Sequence, residues 1–566
     1  MGSPRRPPLE SRHPTPASLL LAAVVFMAAE LASIRPADSA PAIGSPEELG
    51  GHLLHQHGCV GCHDIPGTTW KKNGPPLSRV ASKVSMSWLI RWLNGSPELS
   101  AHRLMPDFGL SAEQSQAIAA YLLHSSTPTS FETVDPAKGR AENGQALVAE
   151  IGCLACHSLE TGEAAPPAVA GPNLSALGSK TSPAWLFHWL KNPADWDPET
   201  PMPSLRLSDQ EALDITAYLL TLKGSIPTEI SEATSDQDRI EEGKQLIEEK
   251  GCFGCHGIPG FEEAERIGSA ISDWTGEDFM GIHQTGETED LLVPQFNLPE
   301  SEVEALVAAA NKPAPKEGAD AEVAAGRLSV RRLNCIGCHT VERMAEQGAW
   351  GGDLRARIED PGHHPPTLVG EGRKVQAAWL ATYLKEPSAI RLWLKVRMPT
   401  YAFAEGETEA LVRYFRALEG VTSEDTPPAP GPVQDLDLEA GRKLAEAFQC
   451  ASCHPTHESE LHVMPDKLNL APPLSLVRSR LRHDWLRDWL IEPQELAPGT
   501  RMPDYFPNIG DRKNVSLAYT TLAAPQNSEI RKWFVAAFGE EEMKSRLEDT
   551  RWVIERLRES LWNPAE

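Results

Sequence analysis

The chain has 566 residues, 41% of them hydrophobic and 23% charged, with a formal net charge of −26. This length suggests about four domains, and an acidic balance without a basic patch excludes nucleic acid as a partner. Residues 17–29 form a short apolar run behind Arg5, Arg6 and Arg12, and Ala40-Pro41-Ala42 follows as a small-residue cleavage site. Residues 1–42 therefore read as a Sec-type signal peptide, with an uncleaved anchor as the alternative, and the mature chain is expected in the periplasm or otherwise exported, with peripheral membrane association open.

Beyond the leader, one set of elements recurs. A leading amphipathic helix carries a glycine nine residues before a cysteine: Gly50, Gly144, Gly243, Gly326 and Gly441. A glycine inside a helix costs about 1 kcal/mol against alanine, so its repetition predicts the close approach of another helix. A proline loop follows, as Gly74-Pro75-Pro76-Leu77, Gly171-Pro172-Asn173-Leu174, Pro365-Pro366-Thr367-Leu368 and Ala471-Pro472-Pro473-Leu474. Next comes a helix with rings at i and i+4, which share one face: Trp88/Trp92, Trp185/Trp189, Trp379/Tyr383 and Trp485/Trp489. Met-Pro stands after it at Met105, Met202, Met398 and Met502. Closing helices open at Ser111 and Ser208 with N-caps and acidic first turns, and at Glu407. The repeats span 43–127, 138–225, 237–312, 320–420 and 435–540; the fifth is expected to close over 530–538, leaving 541–566 as an added amphipathic helix.

Each leading helix runs into Cys-x-x-Cys-His: Cys59, Cys62 and His63; Cys153, Cys156 and His157; Cys252, Cys255 and His256; Cys335, Cys338 and His339; Cys450, Cys453 and His454, which use all ten cysteines. This is the attachment signature of c-type haem: two thiols become thioethers and the adjacent histidine reaches the iron. A disulfide framework gives no reason for the histidines, and a structural zinc wants four ligands at close spacing. Five covalently bound haem c groups are expected.

The elements together resemble the class I cytochrome c fold, repeated five times, an all-α tandem array of small helical domains around covalent haems. The resemblance implies that the proline-loop carbonyl accepts the proximal histidine Nδ1–H and that Met105, Met202, Met398 and Met502 are second axial ligands. Met464-Pro465 lies too soon after His454 to serve. The third repeat departs from the pattern: Gly268-Ser269-Ala270-Ile271 replaces the proline loop, Val293-Pro294 replaces Met-Pro, and Phe279-Met280-x-x-His283 replaces the tryptophan helix. Valine cannot bind iron, so this haem is five-coordinate, water-ligated or held by His283, Met280, His363 or His364. His283 reads equally as the occupant of the second-tryptophan slot against a propionate.

No catalytic residue is identified. The function expected is one-electron transfer from an upstream dehydrogenase or quinol-oxidising complex to a downstream cytochrome or terminal oxidase. The alternative is a haem enzyme, a peroxidase or small-molecule reductase, open at haem three and fed by the other four.

Overall fold

The computed structural model describes residues 45–563 apart from 67, 69–71, 96–104, 161–170, 225–235, 269, 272–273, 284–292, 297, 312–317, 345–347, 353, 392, 422–432, 456–470 and 507–516. The leader with Ala40-Pro41-Ala42, and Met464-Pro465, lie outside the described residues. The fold is all-α and cytochrome c-like; a two-stranded antiparallel hairpin, Thr340–Met344 with Gly348–Gly351, is its one sheet among the described residues. No helix of the described residues is long and apolar enough to cross a membrane.

Five leading helices run over Pro46–Gln56, Ala141–Glu150, Gln237–Lys250, Ala319–Arg332 and Asp435–Ala447. Each crosses a closing helix at its repeated glycine. An added Cβ at Gly144 would lie 2.0 Å from the Asp214 carbonyl oxygen, and one at Gly326 would lie 2.2 Å from Tyr414 Cβ. Only hydrogen fits there, which is why the helix tolerates glycine's propensity cost. Each leading helix ends on a left-handed residue immediately before the first cysteine: Gly58, Gly152, Gly251, Asn334 and Gln449. That residue turns the chain from helix axis to haem motif.

The second and fourth repeats close on themselves, Ala141–Glu150 on Asp209–Leu219 and Ala319–Arg332 on Glu407–Leu418. The first and third do not. Leading helix Pro46–Gln56 lies against closing helix Glu300–Asn311, and leading helix Gln237–Lys250 lies against closing helix Ala112–Ser125. The glycines mark both crossings: a Cβ at Gly50 would lie 1.7 Å from the Ala305 carbonyl oxygen, and one at Gly243 2.0 Å from that of Ala117. One core joins Leu53, Leu54, Val60 and Ile65 with Ile271, Phe279, Val303 and Leu306. Another joins Trp88, Leu89, Ile118 and Leu122 with Ile240, Ile247 and Phe253. The stretches 43–127 and 237–312 are thus interleaved, each supplying half of two cores, where the sequence suggested two self-contained units. Repeats built on one scaffold offer interchangeable partners, so an exchange keeps every type of contact while the chain crosses over.

The fifth repeat closes differently from expectation. Asp435–Ala447 meets Thr550–Trp562, and an added Cβ at Gly441 would lie 2.0 Å from the Arg556 carbonyl oxygen. Ser528–Phe538 instead packs on Glu540–Glu548 in the same core, with Phe534, Met543, Leu547, Val553 and Ile554 buried. Glu540–Glu548 and Thr550–Trp562, expected as an added helix, therefore complete this domain.

Candidate haem sites

None of the ten cysteines is in a disulfide. Burial pushes the first thiols of four motifs, Cys59, Cys153, Cys252 and Cys335, up to about 12. Among the described residues no group of three or more His, Cys, Asp or Glu could hold a metal ion alone.

The proximal histidines are aimed by carbonyls. His157 Nδ1 lies 2.8 Å from Pro172 O, His256 Nδ1 2.9 Å from Pro75 O, His339 Nδ1 2.7 Å from Pro366 O and His454 Nδ1 2.7 Å from Pro472 O. A carbonyl can only accept, so Nδ1 carries the proton and Nε2 keeps its lone pair. Burial lowers the pKa of all four imidazoles, against the raising effect of the carbonyl bond, and so favours the neutral form that ligates iron.

The loop is held by a repeated bond. The N–H of its fourth residue donates to the carbonyl of the residue after the histidine: Leu174 to Ser158 (2.9 Å), Leu368 to Thr340 (2.8 Å) and Leu474 to Pro455 (2.8 Å). In the interleaved pair the same bonds run Leu77 to Gly257 (2.8 Å) and Ile271 to Asp64 (2.9 Å). Gly74, Gly171 and Gly268 sit so close to His256, His157 and His63 that a Cβ would fall within 2.4–2.8 Å of the imidazole. The Gly268 loop, which departs from the proline pattern, thus serves His63, and the Pro75 loop serves His256.

Exchange also redistributes the distal side. Met105 packs in the core that contains Cys252, and the Trp92 indole N–H donates to its sulfur at 3.3 Å. Trp189 does the same to Met202 at 2.9 Å, in the core that contains Cys153. Met398 packs with Cys335 and Met502 with Cys450. Four methionines therefore share cores with four motifs, but Met105 belongs with His256, where the sequence order assigned it to His63.

His283 faces His63. Their ring centroids are 6.0 Å apart with planes at 88°, and Trp274 flanks both. His283 Nδ1 lies 2.9 Å from Pro294 O, so its Nε2 lone pair is free, as in the proximal histidines. It is buried, whereas Met280 is 39% exposed. His283 does occupy the second-tryptophan slot, but opposite His63 and away from His256. His363 pairs with Asp360 at 3.1 Å, and His364 lines the cavity of the fourth and fifth sites.

That cavity, of about 1080 Å³, is bounded by Cys335, Cys338, His339 and Met398 on one side and by Cys450, Cys453, His454 and Met502 on the other. Thioether-forming thiols, a lone-pair nitrogen, a thioether sulfur and apolar walls are the donor set of haem c, and the residues fit that group.

Motifs abut in pairs. A Cβ at Gly61 would lie 2.6 Å from the Gly254 carbonyl oxygen, and one at Gly254 would lie 2.7 Å from that of Gly61. Asn334 Nδ2 donates to Ala155 O at 2.9 Å and contacts Cys156 Sγ at 3.2 Å, and a Cβ at Gly337 would lie 2.6 Å from the same carbonyl oxygen. Two other junctions form through the tryptophan helices: Lys83 Nζ lies 4.8 Å from the ring centroid of Trp185, and Arg480 Cζ 5.2 Å from that of Trp379. By proximal histidine, the contact order is His63, His256, His157, His339, His454. Asn334, Lys83 and Arg480 escaped the sequence reading, although a basic residue recurs five positions before each first tryptophan.

The Cytochrome c family matches residues 141–223. Over 81 residues the chain is 28% identical to the Cbb3-type cytochrome c oxidase subunit CcoP of Helicobacter pylori, which covers 14% of this chain and 26% of that protein. No solved structure matches. Fold and site define a helical, cytochrome c-like protein whose residues suit covalent haem c. More particularly, residues 141–223 are a cytochrome c domain, and Cys153, Cys156 and His157 lie within it.

Proposed function

We propose that the chain is a pentahaem carrier that moves electrons singly between exported or membrane-bound redox partners. When bound, haem c supplies a ferric/ferrous one-electron couple. The protein's residues do the rest: leading helices present the thiols, loop carbonyls fix each proximal imidazole, and aromatic walls exclude water. The observation that carries the reading is the unbroken contact order of five such sites. His157, His256, His339 and His454 would hold iron with Met202, Met105, Met398 and Met502. His63 would hold it with His283, whose 6.0 Å centroid separation leaves room for one metal between the two rings.

The enzyme alternative needs an open iron at His256, and Met105, packed in the same core as Cys252, supports the carrier instead. The likeness of 81 residues of the chain to an oxidase subunit supports a respiratory setting with a dehydrogenase or quinol-oxidising donor and a cytochrome or oxidase acceptor. Ala451, Ser452 and Cys453 of the last motif are exposed, which supports exchange with a partner at that end.

Intact mass of the exported protein should exceed the polypeptide by five haems; fewer would refute the pentahaem reading. Carbon monoxide should bind no reduced haem in the wild type and one in His283→Ala. Binding by the wild type would refute ligation by His283.

A further inference from the structure

Lys83, Lys180, Lys374 and Arg480 each stand five residues before Trp88, Trp185, Trp379 and Trp485. None caps its own tryptophan; each reaches across to that of the adjoining repeat. Lys83 Nζ lies 4.8 Å from the centroid of Trp185 and 5.5 Å from that of Trp189, while Lys180 Nζ returns to Trp88 at 4.6 Å. Lys374 Nζ lies 6.0 Å from Trp485 and Arg480 Cζ 5.2 Å from Trp379. Backbone bonds lock the second exchange, Gln376 N to Arg480 O and Arg482 N to Lys374 O, both at 2.9 Å.

Each arrangement sets two like charges into an aromatic-walled junction. Among the described residues, neither Lys83 nor Lys180 has a carboxylate within 4 Å. Asp197 acts on Lys83 from farther off, and Lys83 itself repels Lys180. Arg480 Nε is buried without a hydrogen-bond partner. Lys374 holds Glu371 at 2.9 Å, but Arg355, Arg391 and Arg480 line the same cavity. Cation–π contact returns less than withdrawing an ion from water costs. The first junction holds no paired carboxylate and the second only Glu371 against Lys374, Arg355, Arg391 and Arg480, so both are short of anions, and the walls that enclose them are those of the haem sites.

We propose that these are two propionate-receiving pairs: Lys83 with Lys180 takes haem carboxylates from the His256 and His157 sites, and Lys374 with Arg480 takes those of the His339 and His454 sites. The assignment rests on the pentahaem reading. The macrocycle carries its thioethers and its propionates on opposite edges. The row therefore alternates: motif-to-motif contact joins His63 to His256 and His157 to His339, and a shared cation pair joins the sites between.

The test is a spectroelectrochemical titration of intact holoprotein with haem counted by mass. In Lys83→Met/Lys180→Met, two of five potentials should fall, because lost positive charge favours ferric iron, each by at least a tenfold change in the ferric/ferrous equilibrium, ~59 mV for one electron. In Lys374→Met/Arg480→Met a different two should fall, and the fifth, that of the His63 site, should move in neither. Lys83→Arg/Lys180→Arg should restore the first pair. Five unmoved potentials in either double variant with five haems retained, or a uniform drift of all five, would overturn the pairs. If one double variant fails to accumulate, the other decides. A wild type short of five haems would instead overturn the pentahaem reading.

Discussion

Gly243→Ala tests the interleaving directly. The new methyl carbon would sit 2.0 Å from Ala117 O, 2.5 Å from Ala117 C and 3.1 Å from Ile118 N. All three are backbone atoms of a helix and cannot swing aside. Restoring ordinary contact moves Gln237–Lys250 and Ala112–Ser125 apart by about 1.4 Å, an overpacking that costs about 1–3 kcal/mol. Since 1.4 kcal/mol is a factor of ten, amide protection in both helices should fall by about 5- to 150-fold. Peptide-resolved hydrogen exchange reads this without reference to redox chemistry. Protection should fall together in 112–125 and 237–250 and stay unchanged in 46–56 and 300–311. Gly50→Ala, whose methyl would meet Ala305 O, should give the converse pattern. Loss in 237–250 coupled to 300–311 would refute the exchange and return each half to its own repeat.

Three further outcomes follow from named contacts. Met202→His should lower the potential of one haem, within the ~0.8 V span that axial ligands control, and remove one share of the methionine–iron charge-transfer absorption; an unchanged band would show that the sulfur held by Trp189 is not a ligand. Arg327 is buried between Glu342 at 2.8 Å and Glu48 at 2.9 Å, with Tyr414 on the same Glu342, so Arg327→Met should cost about 3–5 kcal/mol in denaturant unfolding by stranding a buried carboxylate. The hydrogen bond from Arg397 lowers the Glu211 pKa, so the folded pKa lies below the unfolded 4.5; the stability it gives the contact between second and fourth repeats is present above about 4.5 and lost as pH falls below it, and Arg397→Gln should flatten that acid limb of a thermal-unfolding profile.

The elements were legible in sequence because each rests on local chemistry. Gly144 announces a helix crossing within its own repeat, Pro172 lies 15 residues from the histidine it orients, and Met202 follows its tryptophan helix directly. What stayed hidden was partner choice. Pro75 is 181 residues from His256, yet its loop reads the same as Pro172's, and nothing local says which imidazole it serves. The oddities of the third repeat were visible, but sequence order attached them to His256 when Gly268, Ile271 and His283 pack against the His63 motif. The closing helix of the fifth repeat was misplaced for a related reason: Ser528–Phe538 has the right apolar face, and the choice of Thr550–Trp562 is made by the Gly441–Arg556 approach across the domain.

One position does carry the spatial order in the sequence, once the contacts are known. The second residue inside each motif is Gly61, Ala155, Gly254, Gly337 or Ser452. Where two motifs abut, that residue faces the opposite backbone: Gly61 faces Gly254, and Gly337 faces the carbonyl of Ala155. At the three glycines even a methyl would meet the opposite carbonyl oxygen within 2.6–2.7 Å and hold the two motifs apart. Ser452 is exposed, together with Ala451 and Cys453. Small residues at this position therefore mark motifs that touch, and the serine marks the end of the row. The order His63, His256, His157, His339, His454 places the proposed His63/His283 site farthest along that row from the exposed motif. Two-nitrogen ligation lowers potential relative to His/Met, so electrons entering at the His63 end would run toward higher potential and leave at the surface beside Cys453.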